Sequence, residues 1–273
     1  GRPASPSRSG PTSALVGWLT MTTTSSAHSP SGPPPQDSPR PISRAARTAF
    51  AANAAIAWLG VVLTVILSGL GAYTEVTVEP GLYGGHPAGV AGALPRLADT
   101  ASYFTIWSNV VVAVTMTLLA RQPLRATPLL RVLRLDSILM ITITAIVYAV
   151  LLAPVTEVVG WSLLTDPILH QVTPIVTVLV WLVFGPRGWI TGRTVLAAMV
   201  IPIAWIVWVM VRGSITSTYP YGFVNVAEYG VGPVAGTLAG ILAFGLLVMA
   251  IYWGVDAALR RWLGQRAGAT QIS

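Results

Sequence analysis

Six long runs of apolar residues, joined by short polar connections, dominate the chain: roughly 49–72, 101–120, 135–154, 168–185, 194–212 and 231–253. Each approaches or exceeds the ~20 residues that a helix needs to cross ~30 Å of hydrocarbon. None alternates strictly between apolar and polar positions, and all are too long for transmembrane strands, which argues against a β-barrel. The pattern predicts an all-α polytopic membrane protein, a bundle of six transmembrane helices. Residues 1–43, rich in Ser, Thr, Pro and Gly and including Pro33-Pro34-Pro35, show no periodicity and are expected to form a disordered cytoplasmic tail. Met21 is the first methionine, and residues 1–20 read as an extension upstream of the natural start. The expected division is a tail (1–43), a transmembrane domain (44–256) and a short cytoplasmic tail (257–273).

Composition agrees with this pattern. Hydrophobic residues make up 53% of the chain and charged residues 9%, whereas a soluble domain carries about 25% charged residues. All sixteen cations are arginine. Fourteen of them precede the first run, fill the second and fourth connections, or follow the last run; only Arg96 and Arg212 fall on the other side. The arginine-rich side is therefore expected to be cytoplasmic, with both termini inside. Apolar runs interrupt the arginines, so the net charge of +7 forms no continuous basic face and does not imply nucleic acid. Abundant Ala, Gly, Pro and Arg, with no Lys or Cys, suggest a GC-rich bacterial source and hence the bacterial plasma (inner) membrane. The first run could be read as a signal peptide, but its apolar stretch exceeds the usual 7–15 residues, so it is taken as a span.

Without cysteine there is no thiolate nucleophile and no cysteine metal site. Of three histidines, His28 lies in the tail, His86 in a Gly-rich loop and only His170 at membrane depth, so neither metal nor cofactor is expected. No G-x-S-x-G elbow, Walker A loop or H-E-x-x-H helix occurs. The middles of the runs carry no Asp, Glu, Lys or Arg, which weighs against proton-coupled transport.

Three polar features remain, all at the arginine-poor ends of the runs. In Tyr103-Phe104-Thr105-Ile106-Trp107-Ser108-Asn109, residues Thr105, Ser108 and Asn109 share one helical face. In Leu169-His170-Gln171-Val172-Thr173-Pro174, His170 shares a face with Thr173 and Thr177, and Asp166 lies one turn earlier. Pro174 removes a helical hydrogen bond and is expected to free the carbonyl of His170. The third feature is Arg212, followed by Tyr219-Pro220-Tyr221. An arginine against the positive-inside trend needs a local anion, either a substrate or an acid such as Glu228. Thr105 and His170 fall at similar depths, so the three features converge on one layer.

The segments YFTIWSN, LHQVTPIVTVLVWLVFGPRG and RGSITSTYPYGFVNVAEYG resemble a bacterial family of six-span integral membrane proteins. That family is distantly similar to the eukaryotic androgen-induced membrane proteins, threonine hydrolases of fatty acid esters of hydroxy fatty acids. The resemblance covers roughly residues 45–255 and departs at Val180, where an acidic residue is expected. It implies Thr105 as nucleophile and His170 as its partner. The residue chemistry is compatible: a hydroxyl becomes nucleophilic when a base takes its proton, and histidine suits that task. Asp166 would orient the imidazole, and Asn109 or the Trp107 indole would donate to an oxyanion. Arg212, Tyr219 and Tyr221, with Ser108 and Thr173, would hold a membrane lipid or fatty-acyl ester. Against this stands the ordinary fate of a threonine in a span, which bonds its own i−4 carbonyl. Rival expectations are non-catalytic lipid or solute binding or transport, and a structural subunit. Gly232, Gly236 and Gly240 form a small-xxx-small stripe suited to helix packing or a helix-mediated oligomer.

Overall fold

A computed structural model describes Gly1 and residues 43–74, 79–122 and 126–270, with side chains through Gln265. The expected tail, apart from Gly1 and Ser43 and including Arg2, Arg8, His28 and Arg40, lies outside the described residues, as does Arg125. The helical bundle falls within the unit Pro41–Ser273. Six helices are long and apolar enough to cross a membrane: Arg44–Leu70, Phe104–Arg121, Pro128–Leu152, Ser162–Phe184, Gly192–Thr216 and Val231–Gln265. The protein is thus an all-α, multi-pass bundle. Among the described residues the only β-pairing is an isolated parallel bridge between Leu82 and Tyr219, which joins two connecting segments.

Local signals set the helix ends. Ser43 caps the first span by accepting from the Ala46 amide at 3.1 Å, and Gly71, at φ 67°, closes it in the left-handed conformation. Thr127 caps the third span ahead of Pro128, whose missing N–H costs nothing there. Thr191 and Thr194 form a reciprocal capping box for the fifth.

The first four spans form the densest packing. Phe50, Ala54 and Ala57 of the first meet Val112 and Met116 of the second, Ile141 of the third and Val180 of the fourth. Gly60 lets the first span approach closely, because a Cβ there would lie 2.9 Å from both Ile168 and Leu169. The third, fourth and sixth spans share Leu135, Ile138, Leu139, Trp181, Met249 and Tyr252. Trp205 and Val209 of the fifth pack with Tyr219, Val224 and, on the sixth, Leu238.

Several boundaries differ from the sequence expectation. The third span begins at Pro128, so Arg131 and Arg134 sit inside the helix rather than in the connection. Arg134 and Asp136 are both buried, at about 9 and 12 Å along the span. Ionisable side chains are therefore buried within the first third of this span. Hydropathy places such a run at its apolar stretch and overlooks a helix that starts two turns earlier. The segment beyond residue 256 continues the sixth helix, which runs Val231–Thr270, about 60 Å in all. At Gly232, Gly236 and Gly240 an added Cβ would meet no atom within 4 Å, so this stripe is not used for packing within the chain.

Candidate active site

The site begins with two prolines. Pro167 lies within the fourth span and Pro174 at the start of its second part, and between them the helix widens into a π-turn, Ile168–Val172. The Thr173 amide donates to Ile168 O, five residues back. In that register Pro174, having no N–H, leaves the Leu169 carbonyl without its helical donor, rather than that of His170. Asn109 of the second span supplies the missing donor, its Nδ2 lying 3.3 Å from Leu169 O and 2.8 Å from Thr105 O. The backbone irregularity that presents His170 is thus tied to the helix that carries Thr105.

Thr105 is the second residue of its helix and therefore lacks a well-placed i−4 helical carbonyl. Its hydroxyl lies 3.1 Å from His170 Nε2. On the other side of the ring, Nδ1 is 2.9 Å from Asp166 Oδ1 and 3.2 Å from the Asp166 carbonyl oxygen. Both are acceptors, so the network assigns the neutral ring's proton to Nδ1 and leaves Nε2 free to accept from Thr105. Tyr148, in a second π-turn (Tyr148–Leu152), stacks on the imidazole at 4.0 Å and 10°. Its hydroxyl donates to Asp166 Oδ2 at 2.5 Å. Thr105, His170 and Asp166 thus form a hydrogen-bonded series, with Tyr148 holding the carboxylate and the ring together. The sequence reading did not select Tyr148. Its position at the end of the third span, level with His170, was the available signal, but such tyrosines usually belong to the interfacial belt.

The expected oxyanion donors are otherwise engaged. Trp107 Nε1 donates to Ala101 O at 2.8 Å, and the Asn109 amide serves the two carbonyls above. Neither is free for substrate, because each satisfies a backbone carbonyl that the helix does not. Tyr221 lies beside Thr105: the Thr105 hydroxyl and the backbone amides of Phe104 and Thr105 act as donors toward its oxygen. Burial pushes the Tyr221 pKa up to about 12, with the hydrogen bonds its oxygen accepts opposing, so the phenol stays protonated across the physiological range. Burial also raises the pKa of Tyr103, aided by Tyr221, Asp99 and Tyr83 and opposed by Arg212.

The other expected substrate contacts sort by position. Thr105, His170, Asp166, Tyr148 and Tyr221 line a cavity of about 1160 Å³ that also takes in Glu79, His86, Arg96, Asp99 and Glu157. Ser108 does not line it: buried, it donates to Thr105 O at 2.9 Å and pairs with Thr144 at 2.8 Å. Thr173 and Tyr219 are buried elsewhere in the bundle, and Tyr219 joins the bridge to Leu82 through its backbone. Arg212 stands behind the lining. Its counter-ion is Asp99, at 2.5 Å, and not Glu228, which accepts from Asn225. The guanidinium lies 4.2 Å over the Tyr83 ring, and the second Asp99 oxygen meets His86 Nε2 at 2.5 Å. Arg96 likewise serves the fold, donating to Ser68 O, Gly69 O, Pro87 O and Gly89 O at the end of the first span. Both arginines that run against the positive-inside trend thus have local structural partners.

The fold and site define a class, a six-span membrane protein with a threonine–histidine–aspartate series at one end of the bundle. Comparison with protein-family models, curated proteins and solved structures finds no match to this chain.

Proposed function

We propose that this protein is a membrane-embedded hydrolase of carboxylic esters of lipids, acting in the bacterial plasma membrane. The observation that carries the reading is the 3.1 Å contact between Thr105 Oγ1 and His170 Nε2, with Nδ1 held by Asp166. Thr105 Oγ1 attacks the ester carbonyl carbon while its proton passes to Nε2, and Asp166 stabilises the imidazolium. The tetrahedral oxyanion receives a hydrogen bond from the Tyr221 hydroxyl. On collapse the C–O bond to the alkoxy half breaks, and that oxygen takes the proton from Nε2. Water, deprotonated by the same nitrogen, then attacks the acyl-threonine and releases the acid and the free hydroxyl. A fatty acid ester of a hydroxy fatty acid is a fitting substrate, since the resemblance names it and the large cavity leaves room for its hydroxy-acid half.

The test is labelling of the purified protein with a fluorophosphonate probe, in wild type, Thr105→Ala and His170→Ala. Labelling is expected in wild type and lost in both variants. A well-folded wild type that takes no label and turns over no long-chain ester would leave the second reading, lipid or solute binding or transport. That reading draws on Arg134 and Asp136, ionisable groups buried within a span.

A further inference from the structure

Thr105 stands at the meeting point of two spaces. One is the large polar cavity. The other is a narrow slot of about 50 Å³ between the second, third, fifth and sixth spans. Thr105, Leu152, Tyr221 and Phe223 line both. The slot is otherwise almost wholly apolar, and of its two threonines Thr144 is already paired with Ser108. Leu238 and Gly245 of the sixth span both line it, seven residues apart, so it reaches about 10 Å along the bundle. Ile143, Met199 and Gly245 lie deepest on their three helices and form its floor. A Cβ on Gly245 would lie 3.3 Å from Ile143 Cδ1, so the floor has no slack.

From this arrangement, and resting on the hydrolase reading above, we infer that the slot takes the acyl half of the ester as a single unbranched chain, with Gly245 and Ile143 setting its length. The assignment of halves follows from where the proton must go. The departing alkoxy oxygen takes its proton from His170 Nε2, and His170 lines the large cavity but not the slot. The alcohol half therefore leaves through the large cavity. With the carbonyl carbon at Thr105 Oγ1, the acyl chain takes the opposite side, where the slot opens. A chain moving from lipid into the slot gains little from dehydration, because both surroundings are apolar. Selection is therefore steric, made by close packing against the floor.

The experiment measures kcat/KM for p-nitrophenyl esters of increasing straight acyl length, in wild type, Gly245→Leu and Ile143→Ala, each checked for its melting temperature. The alcohol is constant, so only the acyl side is read. Gly245→Leu is expected to lower kcat/KM at least ~10-fold for the longer chains while leaving the acetyl ester within about twofold. Ile143→Ala, which removes side-chain bulk and adds none, is expected to move the optimum to longer chains. An unchanged length profile in both variants, or an equal loss at every length, overturns the inference. A separate readout needs no turnover: a brominated medium-chain ester should quench the slot tryptophan, Trp205, and Trp205→Phe should remove that component. Quenching without hydrolysis in wild type keeps the slot and rejects the hydrolase; hydrolysis with a flat length profile in both variants keeps the hydrolase and rejects the slot.

Discussion

At the end that carries Thr105, the Asp166 carboxylate has a donor on each oxygen, His170 Nδ1 at 2.9 Å and Tyr148 at 2.5 Å. At the arginine-rich end, both oxygens of Asp136 and the Nε and Nη2 of Arg134 are buried with no hydrogen-bond partner among the described residues. Asp256 shows the intermediate case, with one oxygen accepting from the Gly188 amide at 2.8 Å and the other without a partner among the described residues. The same residue types thus occur in two regimes. A carboxylate satisfied on both oxygens orients its neighbours, as Asp166 does for His170 and Tyr148 and Asp99 for Arg212 and His86. A carboxylate without partners bears its desolvation with little return. Within one bundle, the difference lies in whether a buried carboxyl group finds donors, as Asp166 and Asp99 do and Asp136 does not.

The comparison is broken most directly at Asp166. Asp166→Asn keeps the shape but can present its amide to Nδ1, so that the ring proton moves to Nε2 and Thr105 loses its acceptor. Ester turnover is expected to fall by roughly 10²–10⁴-fold with little change in KM, read by steady-state kinetics. Turnover within about twofold of wild type would remove Asp166 from the working network.

Arg212 gives the next effect. Arg212→Met strands Asp99 with only His86 and should destabilise the fold by about 3 kcal/mol. Adding Asp99→Asn should recover much of that loss in a double-mutant cycle of melting temperatures. Purely additive effects would mean that the ion pair contributes nothing of its own. At the opposite end, Asp136→Leu should raise the melting temperature, with a gain of ~1–3 kcal/mol from removing an unsatisfied buried carboxyl. A marked loss of stability would show that Asp136 has a partner and that the two ends are alike.

The smallest effect is in pH. Tyr221 has a folded-state pKa of about 12 against ~10 in the unfolded chain. Between those values the folded state binds more protons, so stability is full below pH 10 and falls as pH rises toward 12. Melting at pH 9 and 11 should show a decline that Tyr221→Phe reduces, with Tyr103 leaving a residual slope. An identical decline in the variant would mean that Tyr221 is not buried as described.

Much of the site was legible from spacing. Spacing put Asp166 one turn from His170 and Thr105 at a similar depth, and the resemblance supplied the pairing of Thr105 with His170. The roles of Asn109 and Trp107 were not legible. Their donors go to carbonyls orphaned by local irregularities, and which carbonyl is orphaned depends on the π-register around His170. Tyr148 and Tyr221 come to the site from 22 and 51 residues away from His170 in the sequence. Nothing in local periodicity links them to it. Arg212 was rightly singled out as needing an anion, but its partner is 113 residues distant, and Glu228, closer in sequence, turned instead to Asn225.

The sequence by itself determined the class of protein. Six apolar runs with so few charges have lipid as their main solvent, and in lipid a backbone must satisfy its own hydrogen bonds, which in runs of this length means helices. Prolines, caps and the arginine distribution then mark the ends and the irregular turns. Tertiary structure alone decided which polar groups found partners: the widened turn that turns His170 to Thr105, the ring of Tyr148 against it, the oxygen of Tyr221 beside Thr105, and the carboxyl of Asp136 with no donor among the described residues. Helix-forming signals act over a few residues and can be read one run at a time. The pairing of polar groups between helices depends on rotation and depth, and those are set only when all six pack together.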